Sequence, residues 1–215
     1  MKIDFDHNLK EMIEDQIIRR GITDERVIHA MQIVPRHQFI PDDYIPYAYS
    51  DGPVPIGFGQ TISQPYIVAL MTSELHLKGE EKVLEVGTGC GYQTAILAHL
   101  ARKIVSIEII PDLADGAVKL IEQLHLKNIT VIKGDGSSGF PEEAPYDAIL
   151  ISAAAPKVPD PILGQLAEGG RLILPVGIKG FQHLEIWCRV KDGYSMEKSL
   201  PVAFVPLRGK YGWSD

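Results

Sequence analysis

Cysteine is scarce: Cys90 and Cys188 are the chain's two, in 215 residues. That excludes a disulfide framework and fits a reducing compartment. No apolar run approaches the ~18 residues that a membrane-spanning helix needs. The opening MKIDFDHN is polar and acidic, unlike a secretory leader. Basic residues are outnumbered, with 21 Lys and Arg against 28 Asp and Glu and a formal net charge of −7. That balance argues against a nucleic-acid-binding surface. Repeats and low-complexity segments are missing too. The 45% hydrophobic content and the length suit one sizeable α/β domain with additions.

What is present is organised around Lys82–Tyr92, KVLEVGTGCGY. Lys82 to Val86 is rich in β-formers and carries one acid, Glu85, as a buried parallel strand can. Gly87, Gly89 and Gly91 follow, with Thr88 and Cys90 between them. From Gln93 the apolar residues Ile96, Leu97 and Leu100 recur at helical spacing. A strand, a glycine turn and a helix let a ligand approach the backbone closely. The free N–H groups at the start of the helix favour a polar or anionic ligand group. A second strand, Lys103–Ile107, ends at Glu108, about 20 residues past the first glycine, where an acid reaches ribose hydroxyls. The spacing is G-x-G-x-G and not the G-x-G-x-x-G of dinucleotide sites. Glu85 would repel phosphate and suit a cation. Together these features describe a positively charged nucleoside, S-adenosylmethionine.

The remaining pattern places helices over 8–20, stopped by Gly21, and after Thr23 or Asp24, stopped by Pro35. Pro41 to Gly59 reads as a long ordered loop rich in proline, glycine and tyrosine, a texture that is often functional. Ser63 is placed to cap a helix that begins near Pro65. Strands are expected at Ile129–Lys133, Ala148–Ser152, Leu172–Val176 and Val202–Val205. A short helix is expected over Pro161–Leu166, stopped by Gly169-Gly170. Leu184–Lys191 and the run after Asp192-Gly193 signal a hairpin. The fold expected is α/β: a doubly wound, mostly parallel Rossmann-like sheet with helices on both faces, an N-terminal helical extension and a C-terminal antiparallel hairpin. Ligands of such sheets bind at the carboxyl ends of the strands, here Gly87–Gly91, Glu108, Asp135-Gly136 and Ala153–Pro156. Asp135 could accept a hydrogen bond from an adenine amine or serve only as a turn residue.

These residues add up to a resemblance. Val34-Pro35-Arg36, Gly59-Gln60-Thr61-Ile62-Ser63-Gln64-Pro65, Leu84–Gly89, Gly134-Asp135-Gly136, Ala144–Asp147, Ala153–Pro156, Gly169–Gly177 and Val205-Pro206-Leu207 are similar to the protein-L-isoaspartate O-methyltransferases. The Gln-Thr-Ile-Ser run is the most specific of them. The resemblance implies one domain over 1–215: N-terminal helices and a lid over 1–76, a cofactor core over 77–177, and a closing hairpin and strand over 178–215. It gives Ser63 an active-site role beside the acceptor carboxylate. Gln60, Thr61 and Ile62 would lie near both ligands. Glu85, Gly87, Thr88 and Gly89 would hold the methionine end, Glu108 the ribose, and Asp135 with Gly136 the adenine. Thr61, Ser63, Val205 and Leu207 would meet the substrate. Cys90 stands where serine is usual, at a helix start that can lower a thiol pKa. Arg208 stands where a smaller residue is common.

The implied reaction methylates the α-carboxylate of L-isoaspartyl residues in damaged peptides and proteins. It yields S-adenosylhomocysteine and an ester that loses methanol to a succinimide, whose hydrolysis returns some normal aspartate. A carboxylate is already ionised at neutral pH, so no general base is needed among the 7 histidines. No metal, nucleic acid or membrane is expected, and a cytoplasmic monomer is. Three rivals are weaker. Tyr194 and Lys198 have the spacing of a short-chain dehydrogenase, but in a hairpin and not a helix. An amino-methyltransferase of nucleic acid would need an Asn/Asp-Pro-Pro motif where Ser152–Pro156 stands. A silent S-adenosylmethionine sensor would not need Gly59–Pro65.

Overall fold

The computed structural model describes residues 3–213. Met1 and Lys2, part of the opening read above as no leader, and Ser214 and Asp215, the end of the expected closing segment, lie outside them. Helix α1 (Phe5–Glu11) is capped by Asp4, which accepts from the His7 N–H, and continues as a π-helical segment, Met12–Ile18. Met12, Ile13 and Ile17 are buried, so the apolar face read from the sequence is the one that packs. The run ends as the N–H groups of Gly21 and Ile22 return to the Ile18 and Ile17 carbonyls. Helix α2 (Glu25–Ile33) starts at Asp24, whose carboxylate accepts from the Arg26 and Val27 N–H groups. Pro35 holds Val34 extended and the helix stops there.

The proline- and tyrosine-rich stretch is more regular than expected. A 3-10 turn (Asp42–Tyr47) leads into a hairpin of β1 (Val54–Gly57) and β2 (Gln60–Ile62). Strands this short, with Pro55 and glycines in or beside them, carry no periodicity to read. Helix α3 (Pro65–Glu74) follows.

The core alternates as read: β3 (Lys82–Val86), α4 (Tyr92–Ala98), β4 (Lys103–Glu108), α5 (Pro111–Gln123), β5 (Ile129–Lys133), β6 (Tyr146–Ile151), α6 (Asp160–Leu163) and β7 (Leu166–Ile178). The hairpin β8 (Phe181–Val190) and β9 (Gly193–Val202) completes a seven-stranded sheet, ordered β5-β4-β3-β6-β7-β8-β9. β3 to β7 are mutually parallel and β8 and β9 run antiparallel. Val83–Val86 and Ile104–Glu108 are buried along their length, as central strands covered on both faces must be. The chain leaves β3 toward β4 on one side and returns to β6 on the other. The crevice at the carboxyl end of β3 is therefore the topological switch point, where ligands of such sheets bind.

Two expected elements differ. The helix predicted to reach Leu166 ends at Leu163, because Leu166 pairs with Tyr146 and already belongs to β7. Gly169-Gly170 stops no helix; it lies where the ladder slips between the Tyr146 and Ala148 pairs. The strand expected over 202–205 ends at Val202. Beyond it the backbone becomes a strap: Val205 O accepts from Ala154 N–H at 2.8 Å, and Leu207 N–H donates to Ala154 O at 2.7 Å.

Candidate active site

The glycine turn after β3 takes a path that residues with a Cβ adopt with strain: φ is +94° at Gly87, +54° at Gly89 and +90° at Gly91. The turn is tied to β4, since Gly87 and Thr88 donate their N–H groups to Ile107 O at 2.8 and 3.3 Å. Glu108 completes the tie. Its Oε2 accepts from Gly89 N–H at 2.8 Å and its Oε1 from Ile110 N–H at 2.9 Å. Glu108 is thus both fixed by backbone donors and part of a cavity wall, with Gly87, Thr88, Gly89, Val86 and Ile107. Gly136 also lines the cavity, and a Cβ there would stand 2.8 Å from Val86 Cγ1. Only a hydrogen fits in that place.

Glu85 is fully buried and stands behind this wall. Its Oε2 accepts from Thr94 Oγ1 at 2.5 Å and from Ser106 Oγ at 2.6 Å. Its Oε1 has no partner among the described residues. Burial pushes the carboxyl up to about 7; the hydroxyls of Ser106 and Thr94 pull it down, and the nearby Glu108 adds to the rise. A buried carboxylate with one idle oxygen is a place where a positive ligand charge would be favoured. The glycine turn, Glu108 and Glu85 therefore fit a cationic nucleoside.

Gln60, Thr61, Ile62 and Ser63 form the opposite side of the same cavity. The helix cap expected of Ser63 is not there. Helix α3 begins at Pro65, its N-cap position falls on Gln64, and no side chain caps it. Pro65 has no N–H to cap and shifts the start by one residue. The Ser63 hydroxyl makes no hydrogen bond to another described residue and instead lines two cavities. The second is bounded by Arg20, Pro53, Gln64, Tyr66, Ile67 and Leu200–Val205, and meets the first at Thr61, Ser63, Ser152 and Val205. The Ser63 backbone is held from behind by Arg36. That fully buried guanidinium donates Nη2–H to Ser63 O and Nε–H to Ala48 O, each at 2.7 Å, and lies 4.9 Å over the Tyr92 ring.

Val205, Pro206, Leu207 and Arg208 of the strap close the first cavity. Asp135 lies outside its wall and holds the strap in place. Oδ2 accepts from Lys210 N–H at 2.8 Å and Oδ1 from Ser137 N–H at 2.8 Å, while Ser137 Oγ accepts from Tyr211 N–H at 3.0 Å. Partial burial alone would raise the Asp135 carboxyl; the donors from Lys210 and Ser137 outweigh it and leave it below the usual range.

The structure thus gathers Gln60–Ser63, Gly87–Gly89, Glu108, Gly136, Val205 and Leu207 around one cavity and sets Glu85 and Asp135 one layer back. Tyr92, Gln93, Cys90, Ile109, Ile110 and Ser152 also line it, and the sequence pattern gives them no ligand-binding role. Adjacency to the glycine turn is the signal that would find Cys90, Tyr92 and Gln93. The strand-end rule stops one residue short of Ser152. The acidic thiol considered for Cys90 is overturned: burial pushes it up to about 11, against the weaker pull of the Tyr92 N–H and Arg36. Tyr194 and Lys198 lie on strand β9, which removes the dehydrogenase alternative.

The model of the protein-L-isoaspartate (D-aspartate) O-methyltransferase family matches residues 7–212. Two relatives, both named protein-L-isoaspartate O-methyltransferase, bear this out along the chain. One, from Trichlorobacter lovleyi, is 51% identical over 212 residues, 98% of each chain. The other, from Methanoculleus marisnigri, is 49% identical and covers 95% of this chain and 93% of its own. A solved structure from Plasmodium falciparum, described as a protein-L-isoaspartate O-methyltransferase in complex with S-adenosyl-L-homocysteine, superposes with a TM-score of 0.81 at 28% identity, covering 96% of this chain and 99% of that one. A second structure of that name gives 0.85 at 27% identity, over 95% of this chain and 67% of the other. In sequence over nearly its full length, in fold and in the residues gathered at the end of β3, the chain belongs to the protein-L-isoaspartate (D-aspartate) O-methyltransferase family.

Proposed function

We propose that the chain methylates the α-carboxylate of L-isoaspartyl residues in peptides and proteins at the expense of S-adenosylmethionine, starting their repair through a succinimide, and that Ser63 is its catalytic residue. The observation that carries the reading is the place of Ser63, whose hydroxyl caps nothing and lines both the cofactor cavity and the cavity beside it.

Bound S-adenosylmethionine supplies a methyl group already activated by the sulfonium. Gly87, Thr88 and Gly89 would hold its methionine end, with Glu85 behind them as the counter-charge. Glu108 would take the ribose hydroxyls, and Gly136 would let adenine lie against Val86 and Ile107. Asp135 acts through the strap it holds. The acceptor carboxylate needs no base. Ser63 donates one hydrogen bond that orients it, and Thr61, Val205 and Leu207 confine the peptide around it. Positioning, and not proton transfer, is the main contribution, because a displacement of about 1 Å costs roughly a hundredfold in rate. Isoaspartyl and aspartyl peptides carry equal charge, so the choice between them rests on where the backbone places the carboxylate.

The three stretches 1–76, 77–177 and 178–215 act as acceptor wall, cofactor core and closure of a single domain. The free thiols of Cys90 and Cys188 support a reducing, cytoplasmic setting, and the −7 charge supports peptide over nucleic-acid substrates. We take the working unit to be a monomer, which light scattering checks. The function is tested by transfer of a radiolabelled methyl group to matched isoaspartyl and aspartyl peptides. The isoaspartyl peptide should be labelled on the order of a hundredfold faster in kcat/KM. Equal labelling would refute the repair reading.

A further inference from the structure

Where the two cavities meet, four residues belong to both: Thr61, Ser63, Ser152 and Val205. A methyl group that passes from a donor in one cavity to an acceptor in the other must cross at these four. Ser152 is the one among them that no reading of the sequence assigned. It follows directly on β6, at the carboxyl end of the strand next to β3. Its backbone is fixed, because Ser152 N–H donates to Val86 O at 2.9 Å. The neighbouring Gly87 leaves room at its side: a Cβ on Gly87 would sit in ordinary contact, 3.5 Å from Ser152 Cβ. Ser152 is half-buried, and no hydrogen bond joins its hydroxyl to another described residue. It is therefore a donor in the junction that no other described group engages.

We propose that Ser152 is a second acceptor-binding residue, whose hydroxyl donates to the acceptor carboxylate together with Ser63. The inference rests on the function proposed above. It follows from the shape of a carboxylate, which has two oxygens of which one attacks. A single donor leaves the group free to turn about that one bond. A second donor on another wall defines the plane of the group and with it the direction of the attacking lone pair. The two walls differ in kind. Ser63 lies on the segment between the short β1–β2 hairpin and α3, held by Arg36. Ser152 is mounted on the central sheet itself. The sheet-borne donor sets the position against which the acceptor is aligned, and the loop-borne donor closes on it.

The test compares wild type, Ser152→Ala and Ser152→Thr with an isoaspartyl hexapeptide and its aspartyl counterpart. The readouts are kcat and KM, the Kd of S-adenosylhomocysteine, the Kd of the isoaspartyl peptide with S-adenosylhomocysteine bound, and Tm. Loss of one hydrogen bond to a charged group corresponds to a fall on the order of tenfold to a hundredfold. We expect that fall in kcat/KM for Ser152→Ala, mostly in kcat, with weaker peptide binding, the S-adenosylhomocysteine Kd within twofold and Tm preserved. Ser152→Thr, which keeps a hydroxyl on the same carbon, should recover most of the loss. The proposal is overturned if Ser152→Ala keeps kcat/KM within twofold, if its loss follows weaker S-adenosylhomocysteine binding, or if threonine is no better than alanine. Failure of wild type to prefer the isoaspartyl peptide would instead refute the underlying function, so the two failures are distinguishable.

Discussion

Glu85→Gln should make the ligand-free protein more stable at pH 8 than at pH 5, relative to wild type. Burial pushes the Glu85 carboxyl from an ordinary value of 4.5 up to about 7. The folded chain therefore holds this proton over a range in which the unfolded chain has lost it. The stability this contributes is fully present below pH 4.5 and is lost as pH rises through 7. Each tenfold difference in proton affinity between folded and unfolded chain is worth about 1.4 kcal/mol, so ionised Glu85 costs the fold roughly 3 kcal/mol. Glutamine has the shape of the protonated acid and still offers an oxygen to Thr94 and Ser106, but it never ionises. The gap in unfolding free energy between Glu85→Gln and wild type should widen by about 2–3 kcal/mol from pH 5 to pH 8. Urea denaturation at the two pH values measures it. The same variant should bind S-adenosylmethionine more weakly, because the ionised form that strains the empty protein is the one a cation needs. Parallel pH-stability curves for the two proteins would refute the reasoning.

Glu108→Ala removes the acceptor of the Gly89 and Ile110 N–H groups and the proposed ribose partner. Calorimetry should show S-adenosylhomocysteine affinity reduced by about 1–3 kcal/mol, with no gain in binding of NAD; unchanged affinity would remove Glu108 from the site. Ser63→Gly should unfold at the same urea midpoint as wild type, since the hydroxyl caps nothing, while kcat for the isoaspartyl peptide falls; a destabilised but fully active variant would reinstate the cap. Asp135→Ala frees the Lys210 N–H, so tryptic cleavage after Lys210 should quicken while the cut after the distant Lys191 keeps its rate, and equal rates at Lys210 would show that the strap is held otherwise.

The cofactor half was legible because parallel βα units write their geometry into short-range pattern. Lys82–Val86 and Ile129–Lys133 have the expected limits as strands, and the acid after Ile107 is where the ribose rule puts it. The acceptor half was not. Gln60–Ile62 forms a strand only by pairing with Val54–Gly57, and proline and glycine hide the alternation in both. Ser63 looked like a cap because local spacing cannot tell which residue Pro65 makes the first of the helix. Asp135 looked like an adenine ligand because nothing local reveals that residues near 210 return to it. Leu166 was read as helical because its partner, Tyr146, lies across the sheet. Arg36 and Ser152 depend on contacts between segments far apart in the chain, and periodicity does not record such contacts.

The hairpin of β8 and β9 has a consequence set by parity. Each antiparallel strand reverses the chain, so two of them restore the direction of β7. The chain therefore leaves β9 at the end of the sheet where β3, β4 and β6 present their carboxyl termini. One strand more or fewer would deliver the C-terminal stretch to the far end, a full strand's length from the site. Because the count is even, Trp213 reaches the strap, donating its N–H to Leu207 O at 2.9 Å and its indole Nε1–H to Ala154 O at 2.8 Å. A tag or fusion partner joined beyond Trp213 thus starts at the wall of the cofactor cavity.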